Sequence, residues 1–135
     1  GLRFLNVGAH TVAQLEPFND DVYLHQVVAR SPDGTVARFS DLPQAFESLP
    51  TCAAGTEWRV HFHVPIFLDS LGEFSSTQDF IREMLSEHRR SPVSQHIEVE
   101  TYTWSVLPDE LRSLPIHQAV ARELDWTRSC MENPA

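Results

Sequence analysis

Apolar and polar residues alternate with period two along Arg59-Val60-His61-Phe62-His63-Val64-Pro65: Val60, Phe62 and Val64 point one way, His61 and His63 the other. The same alternation returns in His96-Ile97-Glu98-Val99-Glu100-Thr101-Tyr102-Thr103-Trp104, with Glu98 and Glu100 on one face. Between them, Phe80, Ile81, Met84 and Leu85 recur at helical spacing behind the cap candidates Ser75, Ser76 and Thr77. The pattern predicts strands over residues 58–65 and 96–103, parallel neighbours joined by a helix within 75–89. In a closed barrel, the His and Glu faces would then share the lumen.

The remaining elements follow from the same reading. Leu2, Phe4 and Leu5 suit a largely buried strand that runs into a Gly8-Ala9 turn. Val22 to Arg30 and Thr35 to Phe39 flank Ser31-Pro32-Asp33-Gly34, which predicts a β-hairpin over about 22–39. Asp41 is placed to cap a short helix with Pro43 in its first turn, ending before Pro50. Asp109 can cap a helical turn containing Leu111 and Leu114. Ile116, Ala119, Val120, Glu123 and Leu124 then give an amphipathic helix, with fraying expected from Met131.

A chain of 135 residues fits one domain, and no repeat or linker suggests a second. No apolar run approaches the roughly 20 residues a membrane span needs. A cytosolic protein numbered from an internal point is the expectation. The formal charge of -9, with no basic stretch beyond Arg89-Arg90, argues against nucleic acid as a partner. All ten fixed cations are arginine, so a Schiff-base lysine is excluded from this segment. Cys52 and Cys130 are too few for a disulfide framework or a four-thiolate zinc site.

Four stretches together resemble a known family: Tyr23 to Arg30, Asp41-Leu42-Pro43, Val60 to Pro65, and above all Glu98 to Trp104 followed by Val106-Leu107-Pro108. They look like the C-terminal part of EboE-type "metabolite traffic" proteins, in the xylose-isomerase-like TIM-barrel group of sugar phosphate isomerases and epimerases. The resemblance implies an α/β fold: the C-terminal portion of a (β/α)8 barrel with an inserted hairpin, residues 1–135 forming one partial domain whose partner is the N-terminal remainder of the barrel. It also implies a divalent metal at the barrel mouth, held by Glu, Asp and His, with a last-strand Glu to which Glu100 corresponds.

On this reading Glu100 is metal ligand and possible base, unless it is an inward carboxylate neutralised by an arginine such as Arg59. His63, at the strand's exit, is ligand or proton partner. Glu98, His61 and Arg59 stand behind them as orienting residues. Trp104 shares the face of Glu100 and could stack on a substrate, and His25 could close over the mouth or make a structural hydrogen bond. Imidazole ligands suit Zn or Mn, and an all-oxygen set Mg. The implied activity is isomerisation or epimerisation of a small sugar-like or carbonyl metabolite, by metal polarisation and proton transfer. The alternative is a non-catalytic metabolite binder or carrier using the same mouth.

Overall fold

The structure, a computed structural model, describes residues 1–19, 21–71, 74–100 and 114–132. The chain divides into two compact units, the first Gly1–His63 with Ser70–Ser75, the second Val64–Asp69 with Ser76–Ala135.

The first unit is built on an open sheet whose strands are β1 (Leu2–Phe4), β2 (Val27–Arg30), β3 (Val36–Phe39), β4 (Glu57–Val60), β5 (Ser70–Leu71) and β6 (Phe74–Ser76). Their order is β3-β2-β4-β1-β6-β5. β4 runs antiparallel to both neighbours, with Val60 opposite Val27 on one side and Leu2 on the other, and Trp58 opposite Ala29 and Phe4. These six side chains form the buried face. α1 (Ala9–Leu15) buries Thr11 and Leu15, and α2 (Leu42–Ser48) buries Leu42 and Ala45 and sets Phe46 nearly parallel to the Trp58 ring at 6.5 Å. Phe18 meets Phe62 edge-on at 4.8 Å and Phe74 at 5.6 Å, and each such aromatic pair adds about 0.5–1.5 kcal/mol beyond its buried area.

This overturns the barrel. The expected parallel neighbour of β4 does not exist, because one inward row of Leu2, Val60 and Val27 lets two earlier strands satisfy both its edges. An open antiparallel sheet ending in β3 and β5 has no lumen. Residues 96–100 form no strand, and Glu98 and Glu100 are exposed. Two local bonds compete there with extended pairing: the Ser94 hydroxyl donates to the His96 carbonyl at 2.9 Å, and the His96 N–H donates back to the Ser94 oxygen at 3.1 Å. The predicted positions 101–113, including Trp104 and the Asp109 cap, lie outside the described residues.

The local predictions fare differently. β2 and β3 pair antiparallel around the Pro32-Asp33-Gly34 turn, closed by a Gly34 N–H to Ser31 carbonyl bond of 2.9 Å. They are no insertion, however, but the end of the main sheet, and residues 22–26 precede the strand. Asp41 caps α2 through its Oδ1, which accepts the Leu42 N–H at 2.9 Å, and α2 stops at Ser48 before Pro50. Leu5, expected inside, is exposed, since β1 ends at Phe4 and the chain turns through Asn6 at φ 57°.

The second unit holds α3 (Gln78–Arg90) and α4 (Ile116–Glu132). Leu85 and Ala119 are buried, whereas Phe80 and Met84 of the predicted apolar stripe remain exposed. Arg82 joins the helices, its guanidinium 4.9 Å from the Trp126 ring centre and donating to the Cys130 sulfur at 3.3 Å. Bonds that tie down the loop 64–69 include Gln78 Nε2 to the Ile66 carbonyl at 2.8 Å, the Ser76 hydroxyl to the Leu68 carbonyl at 2.6 Å, and the Ile66 N–H to Glu123 at 3.3 Å. Among the described residues, no helix is long and apolar enough to cross a membrane.

Candidate functional site

Gln26, His61 and His63 gather on the outward side of the sheet, just beyond the ends of β2 and β4. Because Val27 sits opposite Val60, the next residues along, Gln26 and His61, also face each other, and the His61 N–H donates to the Gln26 carbonyl at 2.8 Å. Cross-strand partners project to the same side, so the Gln26 amide meets the His61 ring, Oε1 to Nδ1, at 2.8 Å. An amide oxygen only accepts, so in this contact Nδ1 is the donor, which turns Nε2 away from Gln26.

Two residues further along, His63 returns to the same face, and its ring centre lies 5.2 Å from that of His61. Between them the buried Phe62 anchors the chain from below, 4 % exposed, and Val60 and Val64 are buried with it. The alternation read from the sequence therefore holds through residue 64, although the strand itself stops at Val60.

The other sequence-predicted residues are placed elsewhere. His25 is buried on the core side, its ring stacked on Phe62 at 4.9 Å with 20° between planes, and its backbone N–H donates to Asp41 Oδ1 at 2.9 Å. It stands in the core and not over an opening. Arg59 shares the outward face but points back to Glu57, Nε to Oε1 at 2.9 Å, instead of orienting an imidazole or Glu98. Arg30 holds the other Glu57 oxygen at 2.7 Å. Burial pushes the Glu57 carboxyl up, but hydrogen bonds and charge from the two guanidiniums outweigh this and hold it below the usual carboxylate range. Arg30 and Glu57 also border an open groove of about 280 Å³ beside Pro32, Gly34 and Gly55, where their charges already compensate each other.

Glu98 and Glu100 belong to the second unit and His61 and His63 to the first. A meeting of Glu100 with His63 at the ends of adjacent strands requires a parallel neighbour for β4, and both neighbours of β4 are antiparallel. Among the described residues, no three His, Cys, Asp or Glu side chains form a group able to hold a metal. Gln26 is the partner the sequence did not disclose, since its meeting with His61 depends on the nonlocal β2–β4 register. Cys52 and Cys130 are free thiols, one in each unit. No family model, curated protein or solved structure matches this chain.

Proposed function

We propose that this chain belongs to a protein that holds a small polar metabolite without transforming it, and that the face of Gln26, His61 and His63 is where the metabolite is held. The observation that carries this reading is the pair of side-by-side imidazoles, one of them held by Gln26 at 2.8 Å. Imidazole rings held in place offer directed hydrogen-bonding groups to hydroxyl and carbonyl oxygens. Isomerisation by proton transfer calls for a base set opposite the bound carbon. The carboxylate expected in that role, Glu100, loses its supporting strand, and Glu57, on the strand that leads into the imidazoles, is committed to two arginines. That balance favours the carrier over the isomerase.

The test is a titration of the full chain with dihydroxyacetone, fructose 6-phosphate and inorganic phosphate, followed by NMR of the imidazole resonances and of each probe. A carrier shows saturable shifts at His61 and His63 with at least one sugar, lost in the His61→Ala/His63→Ala variant, and the probe leaves unchanged. Conversion of a probe into its isomer would restore catalysis, and absent shifts would remove the site.

A further inference from the structure

We propose that His61 and His63 form a bidentate chelate for a divalent transition-metal ion of the zinc class, with Gln26 as its positioning residue. The choice of face rests on the proposed function, but the chelate stands on geometry of its own.

Two imidazoles bound to one tetrahedral zinc through nitrogens at about 2.0–2.1 Å have ring centres roughly 5 Å apart. The centres of His61 and His63 lie 5.2 Å apart. Spacing of i and i+2 on an extended chain gives two side chains on one face, and the buried Phe62 between them fixes the backbone that sets their separation. Metal-bound histidines characteristically donate the other ring N–H to an oxygen, which fixes the tautomer and raises ligand basicity. Gln26 Oε1 supplies that oxygen to His61 Nδ1, leaving Nε2 as the ligating atom.

Nitrogen donors select among cations. They suit zinc, copper, nickel and cobalt, and they are poor ligands for magnesium, which demands oxygen. With two donors on this face, the remaining positions of the ion belong to water or to vicinal oxygens of a metabolite. Such an ion would supply the positive charge that Arg59, turned to Glu57, does not.

Equilibrium dialysis of the full chain against Zn²⁺, with elemental analysis, and the visible absorption of Co²⁺ added in its place provide readouts independent of any activity. We expect one ion per chain at this face and affinity rising from Mn²⁺ through Co²⁺ and Ni²⁺ to Cu²⁺, with Mg²⁺ failing to compete. His61→Gln and His63→Gln should each abolish the Co²⁺ spectrum while leaving the circular dichroism unchanged. Gln26→Leu should weaken Zn²⁺ by about tenfold or more, and Gln26→Glu, which keeps the acceptor, should restore it. Equal Zn²⁺ uptake by the His61→Gln/His63→Gln double variant, or equal competition by Mg²⁺, overturns the chelate. Metal bound without sugar-induced shifts would sink the carrier reading and leave the chelate standing, whereas sugar-induced shifts with no metal uptake would do the reverse.

Discussion

His25 lies flat against Phe62, 4.9 Å between ring centres and 20° between planes, so the residue separating the two outward imidazoles is clamped from the core by a third. Phe62 also takes Phe18 edge-on at 4.8 Å. Phe62→Ala should therefore cost about 3–5 kcal/mol of stability, as expected for a buried aromatic cut to alanine. Phe62→Leu should cost clearly less. Denaturant unfolding measures both, and Zn²⁺ affinity should fall in the alanine variant under conditions where it remains folded. An alanine variant as stable as the parent would mean that the clamp does not hold the His-bearing segment.

Glu123 gives the second unit a pH dependence with a definite sign. Burial disfavours its ionised form and raises its pKa, against the opposing hydrogen bond from the Ile66 N–H. The folded chain therefore binds more protons than the unfolded chain just above the ordinary carboxylate range, and stability falls as pH rises through that window. Glu123→Gln keeps an acceptor for Ile66 and removes the charge. It should raise the thermal midpoint at neutral pH, with the advantage shrinking as the pH drops below the usual carboxylate pKa. Parallel midpoint curves for parent and variant across pH would refute this account.

Two glycines with the same backbone conformation should respond differently to alanine. Gly34 and Gly55 sit at φ 86° and 85°, a region where a side chain costs about 1–2 kcal/mol. At Gly34 an added Cβ meets open space, whereas at Gly55 it comes 3.2 Å from Pro32 Cγ. Gly34→Ala should thus show the conformational cost alone, and Gly55→Ala a larger loss that includes displacement of the hairpin turn. Equal losses in chemical denaturation would show that Pro32 yields freely.

What could be read in the sequence was what short range decides. The Ser31-to-Thr35 turn, the Asp41 cap, the α3 helix and the burial alternation of Val60, Phe62 and Val64 each depend on residues a few positions apart, and each is present. Register between distant strands leaves no such trace. The Gln26–His61 meeting, like the antiparallel flanking of β4, follows from which nonlocal rows interlock. The alternating run at His96 to Glu100 misled for a related reason: alternation shows that a segment could be a strand, not that a sheet edge awaits it. α1 escaped notice because seven residues hold few apolar positions, and one of its two buried residues is Thr11.

The sheet order also bears on behaviour in a crowded solution. β3 closes one end of the sheet, so among the described strands its outer N–H and C=O groups have no neighbour, and Val36 beside them is exposed. A short, half-apolar edge of this kind is a template on which a second chain can add and fibrils can grow. Arg38 stands in the middle of that edge, opposite Val28. Any incoming strand would have to take water from its guanidinium, a cost that weighs against self-assembly through this edge.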